Sequence, residues 1–228
     1  MNARNVVVRT VARADRSTVD GLASFGTATV HEAIGRRGFP GPQFRPIQQG
    51  TRLAGTAVTV SCHPGDNLMI HAAVEVCQEG DVLVVTTTAP STHGAFGELL
   101  ASSLMARGVR ALVTDAGVRD TAELREMGFA VWSQYVSCQG TVKASPGSVN
   151  VPVVLGGQVV VSPGDVVCCD DDGVMVVARE EAGWALDRSR ERAEKEDGTR
   201  ARLVAGELGV DIYGLRATLA ALGVEYVG

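Results

Sequence analysis

The stretch ALVTDAGVRDTAELREMGFAV, residues 111–131, is the passage whose reading sets the fold class. It opens on the apolar run Ala111–Thr114 and passes through a polar turn, Asp115-Ala-Gly-Val-Arg119-Asp120. Helical spacing follows over Thr121–Met127, and after Gly128 an apolar run returns at Ala130–Val136. Strand, loop, helix and strand joined by short connections predict α/β layering. The same grammar extends upstream. Gly55–Cys62 alternates as a strand, Asn67–Cys77 has helical spacing, and Val82–Thr88 is a β-branched apolar run. A helix is expected from Gly97 to Ala106. Before these, Thr29-Val-His-Glu32 has a capping-box pattern, predicting a short helix that Gly38 ends, and a Pro/Gly-rich loop fills Phe39–Pro46.

Downstream the pattern changes. Val151–Leu155, Gln158–Val161, Val166–Cys169 and Val174–Val177 are short apolar runs separated by Gly-Gly, Pro-Gly-Asp and Asp-Asp-Gly turns, which is hairpin grammar. A long polar helix is expected over Glu180–Ala205 and a short amphipathic one over Tyr213–Leu222. The expectation is one α/β domain of β/β/α layers over residues 1–228, with a helical C-terminal extension from about residue 180. The polar helix has too narrow an apolar stripe for a core element. It reads either as a solvated helix laced with i,i+4 ion pairs or as an arm that crosses onto a neighbouring subunit.

Composition narrows the function classes. At 45% apolar and 21% charged, the 228 residues have ample material for a core. The net charge is −5 with Lys and Arg scattered, which disfavours a nucleic-acid partner, since that footprint concentrates positive charge on one element. The N-terminus MNARNVVVRT holds only the short apolar run Val6–Val8, and nothing reaches the roughly 20 apolar residues of a membrane span. The expectation is a cytoplasmic protein without a membrane partner. Five cysteines without CxxC spacing fit neither a disulfide framework nor a structural zinc site. The adjacent Cys168 and Cys169 read as buried small hydrophobes on opposite faces of one strand.

Two segments carry chemistry. In His93-Gly-Ala-Phe-Gly97-Glu98-Leu99-Leu100, a glycine-led helix start exposes backbone N–H groups suited to a carboxylate or phosphate. In Asp115-Ala-Gly-Val-Arg119-Asp120, polar groups stand at the C-terminal end of a strand, where ligands collect in α/β folds. Arg119 can grip a planar carboxylate bidentately, and Asp120 can offer a hard oxygen to Mg²⁺ or Mn²⁺. A structural reading stands beside this one. Asp120-Thr-Ala-Glu123 is itself a capping-box-like start, so Asp120 could simply cap the next helix, and Arg119 could be a surface ion-pair partner.

Glu98 and Arg119 are separated by 20 residues, and Arg119 runs directly into Asp120. This acidic-x20-Arg-Asp arrangement resembles the 4-hydroxy-4-methyl-2-oxoglutarate / 4-carboxy-4-hydroxy-2-oxoadipate aldolases, a family related to the RraA regulators of ribonuclease E. The resemblance extends to His63-Pro-Gly-Asp-Asn-Leu-Met-Ile-His71, Arg107-Gly-Val, Ala122-Glu-Leu-Arg-Glu-Met-Gly128 and Gly173-Val. The run Ala201-Arg-Leu-Val-Ala-Gly-Glu-Leu-Gly-Val-Asp-Ile-Tyr213 is similar to the carboxy-hydroxy-oxoadipate subgroup. The resemblance implies an RraA-like domain and a class II aldolase that yields pyruvate from hydroxy-oxo acids, with oxaloacetate decarboxylation as a side activity. It implies Arg119 on the pyruvyl carboxylate, Asp120 as the direct ligand of Mg²⁺ or Mn²⁺, and backbone N–H groups of Gly97, Glu98, Leu99 and Leu100 around the pyruvyl end. Glu98 stands where many relatives carry Asp, one methylene shorter, in the water-activating position. A second carboxylate, Glu196 or failing that Glu194, would come from a neighbouring subunit of a trimer or hexamer.

The chemistry is coherent on its own terms. Retro-aldol cleavage leaves negative charge on a departing enolate, which a divalent metal and an arginine stabilise where it develops. The only two lysines, Lys143 and Lys195, have no evident catalytic context, which favours metal over imine chemistry. His31-Glu32 lacks the second histidine of a zincin, because position 35 is Gly. His63 and His71 read as polar groups near a loop, and His93 as a candidate pocket residue. Asp170-Asp-Asp-Gly173 reads as a turn, and no GxxxxGK[ST] or GxGxxG supports nucleotide binding. The competing expectation is a non-catalytic RraA-like protein that binds ribonuclease E or an RNA helicase. A relative devoted mainly to oxaloacetate decarboxylation is a third.

Overall fold

The computed structural model describes residues 5–228, so positions 1–4 of the N-terminal reading lie outside the described residues. The chain divides into two compact units, one ending at Ser189 and the other running Arg190–Gly228. The first holds strands β1 (Val6–Val7), β2 (Arg45–Pro46), β3 (Leu53–Cys62), β4 (Asp81–Thr87), β5 (Gly94–Phe96), β6 (Ala111–Val118) and β7 (Ala130–Val136). It also holds β8 (Ser148–Val149), β9 (Val153–Leu155), β10 (Val159–Val161), β11 (Val166–Asp170) and β12 (Gly173–Val177). Interleaved with them are helices α1 (Arg16–Leu22), α2 (Thr27–Ala33), α3 (Leu68–Val74), α4 (Glu98–Met105) and α5 (Thr121–Glu126). Helix α6 (Ala182–Val204) follows a 3-10 turn at Arg179–Glu181, and α7 (Gly209–Ile212) and α8 (Leu215–Ala221) close the chain.

The α/β expectation holds, and its framework is four adjacent parallel strands in the order β3-β4-β6-β7. Their register stacks side chains in rows. Val58, Leu83, Leu112 and Val131 lie side by side on one face, with Met69, Ile70, Leu100, Leu104 and Leu124 of α3, α4 and α5 packed against them. The neighbouring row, Ala57, Val82, Ala111 and Ala130, faces the other way. It packs with the hairpin residues Val153, Leu155 and Val161 and with Val167, Cys169 and Val174. Strands buried on both faces explain the near-continuous apolar runs in the sequence. Antiparallel β11–β12 joins the same sheet through β3, while β9–β10 forms a separate two-stranded sheet. A third cluster fills the outer face of β11–β12 with Val19 and Leu22 of α1, Val30 of α2 and Ala182, Ala185 and Leu186 of α6. Cys168 belongs to this cluster and Cys169 to the previous one, so the pair does face opposite ways as small buried hydrophobes.

Several boundaries differ from expectation, each for a definable reason. Helix α2 begins at Thr27 rather than after Thr29, because Asp170 caps it from afar: the Thr27 N–H and hydroxyl donate to the two carboxylate oxygens at 2.8 and 2.6 Å. It stops at Ala33, and Gly35 rather than Gly38 supplies the first positive φ glycine beyond it. Strand β6 runs four residues past Thr114 to Val118, through a register shift between Thr114 and Gly117. Strand β9 starts only at Val153, after Pro152, which has no N–H for a ladder. The expected helix over Tyr213–Leu222 is present as α8, beginning only at Leu215 because Gly214 ahead of it adopts φ 65°, and the separate α7 before it was not foreseen. Helix α1 and the three-residue β5 were not foreseen. The buried residues of α6 all lie between Ala182 and Ser189, within the first unit.

Asp170 is a junction of these layers: its side chain holds α2, and its carbonyl accepts the indole N–H of fully buried Trp132 at 2.7 Å. Trp132→Phe keeps most of the apolar body but strands that carbonyl. The expected loss is about 1–3 kcal/mol in urea unfolding, seen as a lower midpoint at unchanged slope.

Candidate functional site

Strand β5 is short, yet it decides the site. It pairs parallel with the end of β6, Gly94 opposite Gly117 and Phe96 opposite Val118, and the Arg119 N–H closes the pairing onto the Phe96 carbonyl at 2.9 Å. Chain leaving β5 enters α4 through Gly97, and chain leaving β6 enters α5 through Arg119 and Asp120. The two helix starts are thereby brought together. At Gly97 a Cβ would sit 2.2 Å from Asp120 Oδ2 and 3.0 Å from Arg119 Cγ, so only glycine permits this approach. At Gly117 a Cβ would meet the Thr92 and His93 carbonyls at 2.7 and 2.8 Å, so the β5–β6 seam also depends on a missing side chain.

Asp120 occupies the N-cap position of α5 but makes no side-chain cap bond to that helix. Its Oδ2 instead accepts the Glu98 N–H at 3.1 Å, at the start of α4, and lies 3.6 Å from Arg119 Nε. Its backbone is left-handed, φ 54° and ψ 40°, a conformation few non-glycine residues hold without reason. Asp120 thus does not cap the helix it begins, as the capping-box pattern had allowed. Its Oδ1 has no hydrogen bond among the described residues. The Arg119 and Asp120 side chains are 44% and 38% exposed, so the pair opens onto the surface rather than into a closed cavity.

The backbone ladder of α4 begins with the Ala101 N–H on the Gly97 carbonyl. The Leu99 and Leu100 N–H groups precede it, beside the Glu98 N–H that Asp120 occupies, and such groups attract anionic oxygen. Leu100 is buried in the core, whereas the Leu99 side chain is 78% exposed. The Glu98 carboxylate accepts the Ser102 hydroxyl at 3.1 Å along its own helix, so its backbone, not its side chain, meets Asp120. Glu196 lies in the second unit, ion-paired with Arg192 at 2.8 Å on the same helix, with Glu194 exposed nearby. Among the described residues no cluster of three or more His, Cys, Asp or Glu could by itself cage a metal ion.

Asn67 is a residue that sequence reading undervalued. It is 7% exposed, its Nδ2 donates to the Ala95 carbonyl of β5 at 2.9 Å, and its Oδ1 is buried without a hydrogen-bond partner among the described residues. A buried acceptor left unspent would cost stability. The helix expected from Asn67 begins at Leu68, and Asp66 rather than Asn67 holds its first N–H. The Asp66 carboxylate accepts the N–H groups of Leu68, Ala144 and Ser145. Burial pushes its pKa up, and these bonds outweigh burial to hold it below the ordinary value. His93 is engaged structurally, with Nδ1 3.3 Å from the Ser91 hydroxyl and its carbonyl receiving the Gly117 N–H. His71 is exposed at the surface of α3, its pKa lowered by partial burial and by the charge of Lys143.

A doubly covered parallel sheet, with a glycine-led helix start facing an Arg-Asp pair at a strand end, defines an α/β protein with a candidate site at its strand ends. The family model described as RraA-like: Aldolase/RraA matches residues 27–176, and the chain belongs to that family. A protein of Halalkalibacterium halodurans provisionally named 4-hydroxy-4-methyl-2-oxoglutarate aldolase is 26% identical over 161 residues, covering 71% of this chain and 76% of that protein. The crystal structure of Streptomyces coelicolor RraAS2, described as an unusual member of the RNase ES inhibitor RraA family, superimposes with TM-score 0.75 at 29% identity. That match covers 84% of this chain and 99% of RraAS2. The RNA-processing inhibitor RraA from Thermus thermophilus matches with TM-score 0.59 at 28% identity, over 67% of this chain and 92% of its own. No helix among the described residues is long and apolar enough to cross a membrane.

The geometry makes a signed prediction for Asp120. Asn tolerates the left-handed region and keeps an acceptor for the Glu98 N–H, so Asp120→Asn should change unfolding free energy by less than about 0.5 kcal/mol. Asp120→Ala loses both the acceptor and the conformational tolerance and should cost about 2 kcal/mol. Urea denaturation of the two variants checks the difference; equal losses would mean that Asp120 is held by something else.

Proposed function

We propose that the chain is a class II, divalent-metal-dependent aldolase that cleaves 4-carboxy-4-hydroxy-2-oxoadipate to pyruvate and oxaloacetate, or 4-hydroxy-4-methyl-2-oxoglutarate to two pyruvates. Oxaloacetate decarboxylation is expected as a side activity. The observation that carries the reading is Asp120: a strained aspartate whose carboxylate is aimed across at α4 beside Arg119, with one oxygen unspent. The aldolase name of the Halalkalibacterium relative supports the same reaction class.

A hard cation fits this donor set. One exposed carboxylate with a free oxygen, and no protein cage around it, suits Mg²⁺ or Mn²⁺, which keep several waters and take few protein ligands. Bound there, the ion supplies Lewis acidity to the oxygens of a 2-oxo acid. The chain's own groups do the rest. The Arg119 guanidinium holds the pyruvyl carboxylate through its planar fork and stands beside the oxygen on which enolate charge develops. The Leu99 and Leu100 N–H groups bind the other edge of that end. A carboxylate, Glu98 or Glu196, takes the proton from the C4 hydroxyl directly or through water. The C4–O bond becomes a carbonyl, the C3–C4 electron pair passes to the enolate, and a proton returned to C3 releases pyruvate.

Pyruvate release from each substrate, before and after chelation, tests this. Activity should vanish in excess chelator and return with Mg²⁺ or Mn²⁺. Arg119→Lys should lose at least ~100-fold in kcat/KM, since lysine keeps the charge without the fork. Undiminished turnover in chelator, or a near-wild-type Lys variant, defeats the mechanism. A second reading, a non-catalytic regulator of RNA processing, is favoured by the Streptomyces and Thermus relatives, an RNase ES inhibitor family member and an RNA-processing inhibitor. It predicts no pyruvate from any hydroxy-oxo acid and a measurable complex with a ribonuclease or RNA helicase.

We further propose that the protein works in the cytoplasm as a trimer or hexamer whose sites are completed between subunits. Helix α6 buries only its first two turns in the first unit, and its polar remainder carries Glu194 and Glu196. Head-to-tail rings follow when one subunit's arm reaches the next. Mixing Asp120→Asn with Glu196→Ala, each nearly inactive alone, should then regenerate activity as subunits exchange. A fully active monomer by light scattering would exclude the arrangement.

A further inference from the structure

The bulge in β6 has a second effect, away from the Arg119–Asp120 pair. Between Thr114 and Gly117 the register shifts, and within that shift Asp115 joins the lining of a cleft of about 550 Å³. Bulges near functional sites commonly re-aim one side chain in this way. The cleft lies at the C-terminal ends of β4, β6 and β7, and its wall includes Gln43, Thr87, Thr88, Gln134 and Tyr135. It shares no lining residue with Gly97–Leu100, Arg119 or Asp120. One side is closed by the β9–β10 turn. At Gly156 there (φ 61°), a Cβ would stand 2.2 Å from the Pro40 carbonyl, so the turn is pressed against the segment that carries Gln43.

The chemistry of this cleft is one-sided. The Thr87 N–H and hydroxyl both donate to Asp115 Oδ1, at 2.9 and 3.3 Å, the Asp115 N–H also favours its own carboxylate, and no hydrogen bond from another described residue reaches Oδ2. Asp115 has no ion pair among the described residues, and no Lys, Arg or His lines the cleft. Burial pushes its pKa up to about 6, against the downward pull of the Thr87 bonds. The carboxylate is half-buried, with hydrogen bonds from Thr87 and no cationic partner among the described residues. The other lining groups add hydroxyl and amide oxygens that accept hydrogen bonds, and the Tyr135 ring offers a face to a cation or to methylenes.

We infer that this cleft is a binding site for a small organic ammonium ion, with Asp115 Oδ2 as the anchor. An anionic hydroxy-oxo acid, the ligand proposed for Arg119, would be repelled here. The inference therefore stands whether or not the aldolase reading does. A cation brought against a half-buried carboxylate gains more than a neutral donor, because it also offsets a charge that has no cationic partner.

The test uses the full chain with carboxyl-labelled aspartate, followed by NMR, and titrates it with butylammonium and 1,4-diaminobutane. 1-Butanol and glycerol serve as neutral controls and butyrate as the anionic one. A saturable shift of the Asp115 carboxyl signal is expected with the amines, with affinity at least ~10-fold above the neutral analogues. The midpoint of Asp115 titration should fall by ~1 pH unit or more at saturating amine, because an adjacent cation favours the ionised form. Asp115→Asn should abolish saturable amine binding. If that variant does not fold, the wild-type carboxyl signal decides alone. Equal binding of glycerol and amine, binding of butyrate, or an Asp115 signal that amine leaves unmoved would each overturn the assignment.

Discussion

The Glu98 N–H meets the Asp120 carboxylate across a gap that exists only because position 97 has no side chain, and the architecture of the site hangs on that contact. Three separate requirements converge there. Strand β5 must pair with the extended end of β6, the Arg119 N–H must close on the Phe96 carbonyl, and Asp120 must accept a left-handed backbone. None of them is a strong interaction alone. Together they bring the start of α4, with its Leu99 and Leu100 N–H groups, beside the Arg119–Asp120 turn that opens α5. Neither α4 nor β6 alone supplies such a surface.

The layers behind the contact explain why it stays put. Rows such as Val58, Leu83, Leu112 and Val131 fix the parallel strands laterally, and α4 and α5 rest on that face through Leu100, Leu104 and Leu124. A helix anchored by its buried stripe cannot slide to relieve a tight approach at its first residue. Asp170 does comparable work on the opposite side, tying α2 to the hairpin layer and to Trp132.

Much of this was legible in the sequence, and the exceptions share one cause. The parallel strands and α3 to α5 were readable because burial on two faces forces continuous apolar runs, and because Gly97 and Gly128 punctuate them. The start of α2 was not, because its cap comes from Asp170, 143 residues away. Strand β5 is too short to show a period. In the site, Arg119, Asp120 and the Gly97 turn stood out as polar and glycine positions at strand ends. The direction of the Asp120 carboxylate was hidden, since Asp-Thr-Ala-Glu fits a local cap equally well and only the β5–β6 pairing decides against it. Asn67 was hidden because its bond to the Ala95 carbonyl is made 28 residues away.

The left-handed residue at position 120 has an evolutionary consequence. Asn satisfies the backbone and the Glu98 N–H as Asp does, but it carries no charge. One conservative exchange therefore erases a carboxylate without disturbing anything that folding monitors. Under the proposed function, descendants can fall silent in this way while every layer, row and helix remains superimposable on the ancestor. In such a lineage, shape is inherited more faithfully than chemistry.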